Sequence, residues 1–244
     1  MDVSLYSAAA AMNASERWQE LVAGNLSTAS TPGSRQREIS FSAIQAGLAN
    51  TDASNNYVIP AASATVNFQQ GEMKSTGGKM DFGLEGKGFF TVQMPDGSKG
   101  YTRDGEFKLN SQGQMVTKQG FPVMTDSGPL TFDPNNTSPI DVSASGEVSQ
   151  GIDIKGTMQI TEFGNPKALT MTNGSYFAAD TSAQPRPATT TGVRQGFVEI
   201  SNTSPTLAMA NLITSMRMFE TNQKVMQMQN DRMNKAITQL SGTA

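Results

Sequence analysis

The stretch PTLAMANLITSMRMFETNQKVMQMQNDRMNKAITQL, residues 205–240, decides how the rest of the chain is read. Met209, Leu212, Met216, Phe219, Gln223, Met226, Asn230, Met233, Ile237 and Leu240 stand at alternating spacings of three and four, and eight of these ten are apolar. On a helix such positions share one face, so they draw a narrow stripe. Sustained over more than four heptads, the stripe predicts a coiled-coil seam. An unpartnered seam leaves apolar side chains in water, which points toward assembly. Ser204 suits an N-cap, Pro205 the first helical position and Gly242 a terminus. Glu220 with Lys224 and Asp231 with Lys235 add i, i+4 support. Gln223 and Asn230 interrupt the seam, either to set register or to line a solvated channel.

Working outward, the other end of the chain repeats the spacing with smaller residues. Leu5, Ala8, Met12, Ser15, Gln19, Val22 and Leu26 predict a second helix over about residues 3–28, capped by Ser4. The two helices are expected to pair, so the predicted fold class is α+β: N- and C-terminal helices joined as a coiled coil, with a central all-β domain of short antiparallel strands. The expected organisation is a helical domain from 1–30 plus 203–244, an extended connector over 31–64, and a β domain over 65–202. Within the connector only Ile39, Phe41 and Ile44 form an apolar cluster.

The β reading rests on short alternating runs punctuated by turn residues. Phe89-Phe90-Thr91-Val92-Gln93-Met94 runs into Pro95-Asp96-Gly97-Ser98, and Tyr101-Thr102-Arg103 begins the return. Asn110–Gly113 and Ser143–Gly146 have the form [Asn/Ser]-x-x-Gly, which suits a type I turn closed by glycine.

Composition narrows the chemistry. The 244 residues include no Cys and no His, which removes disulfides, thiolate nucleophiles, imidazole bases and most zinc or copper sites. Net charge is −3 and the pI is near 5.1, arguing against nucleic acid as the main partner. No apolar run reaches the length that crosses a bilayer, and the Met-Asp-Val-Ser start lacks the pattern of a cleaved secretory signal. Of 15 methionines, six lie between Met209 and Met233, where flexible thioethers suit packing against unequal neighbours.

Catalytic patterns fail on context. Gly83, Gly86 and Gly88 precede a Phe-Phe strand where a dinucleotide site needs a helix N-terminus. Gly77-Gly78-Lys79 lacks the spacing of a phosphate loop, and Asp81 with Glu85 reads as turn and edge polarity. No enzyme, cofactor or metal site is expected.

Three blocks resemble one family. Asn25-Leu26-Ser27-Thr28-Ala29-Ser30-Thr31-Pro32-Gly33 is similar to the N-terminal motif of bacterial flagellar rod and hook proteins. Gly86-Lys87-Gly88-Phe89-Phe90, then Asp96-Gly97 and Tyr101-Thr102-Arg103-Asp104-Gly105-Glu106-Phe107, resembles the family's central block. Gly196-Phe197-Val198-Glu199-Ile200-Ser201-Asn202 and Arg217-Met218-Phe219-Glu220-Thr221-Asn222 resemble its C-terminal segments. Ser34 departs from the usual Phe, and Thr203 from the usual Val.

The resemblance, strongest to proximal-rod subunits and next to distal-rod ones, implies a subunit exported by the flagellar type III apparatus. It would polymerise with copies of itself and with other rod, hook-side and ring proteins into a periplasmic shaft that carries torque. Leu5, Met12, Val22, Leu26, Met209, Leu212, Met216, Phe219, Met226, Met233, Ile237 and Leu240 would form the assembly seam. Asn25, Thr31, Gly33, Ser201 and Asn202 would form the junction between helix and connector. Gly86, Gly88, Phe89, Phe90, Gly97, Tyr101, Thr102, Arg103 and Gly105 are the β-domain motif. A competing reading from another class is a secreted oligomeric binding module that uses Phe89, Phe90, Tyr101 and Phe121 for contact.

Overall fold

The computed structural model describes residues 3–46 and 57–241. They form two compact units, one built from the terminal helices and residues 37–66, the other from residues 28–36 and 67–203.

In the first unit, helix α1 (Val3–Thr28) buries Ala8, Ala14, Ser15, Leu21, Val22 and Asn25. Strands β1 (Arg37–Ala46) and β2 (Tyr57–Val66) pair antiparallel without a break, from Arg37 opposite Val66 to Ala46 opposite Tyr57. The segment read as an extended connector therefore contains a two-stranded ribbon. Such ribbons are marginal alone. Here Trp18 of α1 meets Phe41 edge to face, with ring centroids 5.9 Å apart.

Helix α2 (Pro205–Ser241) has 37 residues, about 55 Å at the usual rise. The Leu207 N–H donates to Ser204 Oγ at 3.4 Å, the capping geometry that Ser204 and Pro205 encode.

The expected coiled-coil pairing of the two helices is overturned. Met209, Met216 and Ile237 are more than half exposed, and Met233 is 38 % exposed. Side-chain hydrogen bonds link the helices instead: Gln19 Nε2 donates to the Ser215 carbonyl at 3.2 Å, and Asn222 Nδ2 to Ser15 Oγ at 3.1 Å. The covered face of α2 runs through Ala208, Leu212, Ser215, Phe219, Asn222 and Met226, so alternate positions fall one residue before the predicted seam. One residue is about 100° of helix. The physical reason is that Ala208 and Ser215 are small enough to lie fully covered, and Ser15, Gln19 and Asn222 supply directional bonds that methionines cannot. From Asn230 to Gln239 every side chain is exposed. The side chains of Leu5 and Leu240 lie outside the described ones.

The second unit is β-rich. After β3 (Met73–Ser75), β4 (Phe82–Glu85), β5 (Phe89–Gln93) and β6 (Lys99–Thr102), the main sheet runs Leu169–Asn173, Tyr176–Ala179, β6, β5, Ile160–Phe163, Pro185–Pro187. A smaller sheet joins Ile140–Val142, Glu147–Gln150 and Asp153–Thr157. Phe82, Leu84, Phe90, Val92, Met115, Val123, Leu130 and Val148 fill the core. Phe89 is 3 %, Phe90 0 % and Tyr101 6 % exposed, so the aromatics that the binding-module reading needs at the surface are inside. Phe121, half-buried, packs edge to face on Tyr176.

Candidate functional site

The motif blocks meet at a buried junction in the second unit. Residues 31–36 arrive after α1, turning where the Ser34 N–H donates to the Thr31 carbonyl at 3.3 Å. Gly33 sits at φ 69°, and its N–H donates to the Glu199 carbonyl at 2.7 Å. A Cβ on Gly33 would lie 2.2 Å from the Asp104 nitrogen and 2.3 Å from the Arg103 carbonyl carbon. Both conformation and contact therefore demand glycine. Gly105 is held as tightly, since a Cβ there would stand 1.7 Å from the Phe82 carbonyl oxygen.

Beneath this turn, Glu199 arrives on the strand Phe197–Glu199, which pairs with β3. Its Oε1 accepts from Arg35 Nη1 at 2.5 Å and from the Gly71 N–H at 2.7 Å, and its Oε2 from Arg103 Nη1 at 3.0 Å. All three charged side chains are at most 2 % exposed. Arg103 Nη2 donates to the Gly86 carbonyl at 2.6 Å, and the guanidinium lies 4.9 Å from the Phe89 ring centroid. Burial pulls the Arg103 pKa down to about 10, against the opposing pull of Glu199.

Two guanidiniums share one carboxylate, so donors exceed acceptors. Arg35 Nε and Nη2, Arg103 Nε, Ser34 Oγ and Thr203 Oγ1 are buried without a protein partner. Next to them Asp104 is buried, and that burial pushes its pKa up to about 6. One Asp104 oxygen accepts from the Glu106 N–H at 3.0 Å.

Two asparagines act as inserted peptide groups. Asn202 Oδ1 accepts from the Gln36 N–H at 2.7 Å, while its Nδ2 donates to the Asn67 carbonyl at 3.0 Å and the Gln69 carbonyl at 2.9 Å. Asn202 thereby ties three backbone segments. In the first unit, Asn25 exchanges both bonds with Arg37, accepting its N–H at 2.9 Å and donating to its carbonyl at 2.7 Å. Ser201 Oγ accepts from the Thr203 N–H at 3.2 Å.

The remaining β-motif residues serve the framework. Thr102 Oγ1 donates to the Ser175 carbonyl and accepts from the Asp104 N–H, each at 3.0 Å. The Gly88 N–H donates to Thr191 Oγ1 at 2.9 Å, Tyr101 packs on Phe163, and Gly97 closes an exposed turn. Of the seam residues in the first unit, Val22 is buried, and Met12, Leu26, Leu212, Phe219 and Met226 are half-buried.

Sequence reasoning singled out Arg103 but missed Arg35 and Glu199 as its partners. The available signal was Glu199 itself, a lone carboxylate between apolar residues in Phe197-Val198-Glu199-Ile200. What the arrangement can do is mechanical. It holds the arriving and departing segments on the β framework. Among the described residues no cluster of three or more metal-ligating side chains occurs, and no helix is long and apolar enough to cross a membrane.

Comparisons with known proteins agree with this frame. Residues 83–150 match the flagellar hook protein FlgE/F/G D1 domain, and residues 194–240 match the C-terminal region of the flagellar basal body rod FlgEFG proteins. The chain is 34 % identical over 230 residues to the flagellar basal-body rod protein FlgF of Caulobacter vibrioides, covering 93 % of each. It is 31 % identical to FlgG of Borreliella burgdorferi, covering 92 % of this chain and 93 % of that one. FlgF of Escherichia coli K12 is 29 % identical, with 99 % of each chain covered. Sequence blocks, β framework and near full-length relatives converge, and the chain belongs to the flagellar basal-body rod protein family, which is structural and not enzymatic.

Proposed function

We propose that the protein is a structural subunit of the proximal part of the flagellar rod, polymerising helically into the shaft that carries motor torque across the periplasm. The observation that carries the reading is the uncovered apolar side of α2. Ile213, Met218 and Met228, like Met209 and Met216, are more than half exposed. A surface helix that keeps so many large apolar side chains in water has contacts still to make. In this reading the segments 1–30 and 203–244 pack against copies of the chain and against other rod, hook-side and ring proteins. The β domain, residues 65–202, is the chain's second part in this reading. The buried junction holds residues 31–36 and 197–203 on the β framework of the second unit. Export through the flagellar type III apparatus completes the proposal. The similarity to FlgF and FlgG proteins alike keeps the distal rod as the alternative position.

Deletion of the residues after Ser204 tests the function. The truncated chain is expected to fail in assembly and to leave cells non-motile. A motile strain carrying only the truncated form would remove α2 from the mechanism. A cryo-electron-microscopy map of isolated basal bodies would assign the chain to the proximal or the distal segment.

A further inference from the structure

The buried junction holds more positive charge than its own residues neutralise. Arg35 and Arg103 share Glu199, and all three side chains are closed to solvent. Burial first, and the like charge of Arg35 after it, pull the Arg103 pKa down. Asp104, the other buried carboxylate of the junction, has Lys118, Glu106 and Asp81 as its charged neighbours, and neither arginine is among them.

The excess is concentrated on one edge of Arg35. A guanidinium is a planar fork of N–H donors, and its Nε–H and Nη2–H bonds run side by side along one edge, where they can share an acceptor. Arg35 Nη1 is committed to Glu199 at 2.5 Å, whereas Nε and Nη2 are both buried without a protein acceptor. Arg35 is not free to turn that edge to water, because the backbone is fixed on either side of it. The Gly33 N–H donates to the Glu199 carbonyl at 2.7 Å, and the Gln36 N–H to Asn202 Oδ1 at 2.7 Å. Charged donors left unmet in a dry interior are strongly unfavourable. A neutral acceptor would satisfy the two bonds and leave the charge, whereas a monovalent anion answers both. With the Arg35 side chain 0 % exposed, an anion carried on a larger molecule has no way in.

We infer that the Nε–Nη2 edge of Arg35 binds a monatomic anion, chloride, which joins Glu199 as a second counter-ion of the junction. One ion balances one guanidinium, so Glu199 stays necessary to the other. The edge is enclosed only once Glu199, 164 residues away, has joined Arg35. The ion is therefore a ligand of the folded state alone, and its concentration adds to stability.

The test is urea unfolding of the full-length chain at constant ionic strength, with chloride replacing gluconate, an anion too large for a closed site. Between about 10 and 300 mM chloride the unfolding equilibrium constant is expected to fall by about threefold to thirtyfold, the linkage of one ion bound only by the folded state. Bromide is expected to act like chloride. Arg35→Met removes both the edge and the excess charge and is expected to abolish the dependence, whereas Arg186→Gln, at an exposed arginine, keeps it. A response of the natural chain below about threefold, or an equal response in Arg35→Met, overturns the site. Should Arg35→Met fail to fold, crystals of the natural chain grown in bromide decide the matter. An anomalous-scattering peak is expected within about 3.5 Å of Arg35 Nε and Nη2. A water in that place, or no peak, overturns the site. A bromide peak without chloride linkage in solution marks an adventitious ion only and overturns it as well.

Discussion

The junction around Glu199 and the face of α2 around Met216 lie less than twenty residues apart, and they treat solvent in opposite ways. Glu199, a charged residue, is 0 % exposed, while Met216, an apolar one, is 51 % exposed. Burying a carboxylate is unfavourable unless donors surround it, and here Arg35, Arg103 and the Gly71 N–H do so. Exposing methionines gives up burial energy that a self-contained fold would collect. The difference separates two tasks: the junction stabilises the subunit, and in the proposed rod reading the α2 face is held for what lies outside it.

The sharpest way to break this comparison is to remove the shared anion. Glu199→Gln leaves two guanidiniums buried without a counter-charge and should cost about 3–5 kcal/mol in urea unfolding. Met216→Gln on α2 should shift the same curve by less than about 0.5 kcal/mol while preventing assembly. If both variants unfolded alike, the division of labour would be wrong. Gly33→Ala comes next. It combines a left-handed backbone with a Cβ driven onto the Arg103–Asp104 peptide, and it should cost about 3 kcal/mol.

Asp104 sharpens the junction side through pH. Its folded pKa of about 6 lies above the ordinary value of an aspartate, about 3.9. The folded state thus holds the proton more tightly than the unfolded one. Stability should fall as pH rises from about 4 to 6, by at most about 1.4 kcal/mol per unit, and flatten above that. Asp104→Asn, which keeps an oxygen for the Glu106 N–H, should flatten this slope and recover roughly 2 kcal/mol at pH 7. An unchanged slope in that variant would assign the titration elsewhere.

How much of this was legible depended on the range of the interaction. The Ser204 cap, the Asp96-Gly97 turn and the alternating strands are local, so residue type and spacing display them. The Arg35–Glu199–Arg103 cluster joins positions up to 164 residues apart, and no local pattern pairs them. The α2 seam failed for a different reason. Periodicity reports which residues share a face, but which face a partner takes is decided by the partner. With α1 offering Ser15 and Gln19, the covered stripe moved onto Ser215 and Asn222. In the stretch from 37 to 46, Ile39 and Phe41 alternate with Ser40 and Ser42, yet its strand pairing depends on a distant segment ending at Val66.

The smallest expected effect tests the junction from the opposite direction, by improving it. Thr203 is 5 % exposed, and its hydroxyl has no protein partner. Its methyl group and branched shape fit the site, and only the oxygen pays desolvation without return. The resembling family places Val here. Thr203→Val keeps the volume and the χ1 preference while removing the unsatisfied group, so it should stabilise the fold by about 1 kcal/mol. Ser34→Ala acts on the other orphaned hydroxyl, but it also deletes nothing larger than an oxygen, so a similar small gain is expected. Neither change touches Glu199, so the two gains should add. Strong non-additivity in a double-mutant cycle would mean that Ser34 and Thr203 share a hydrogen-bonded network with the arginines, and the junction would then be one cooperative unit.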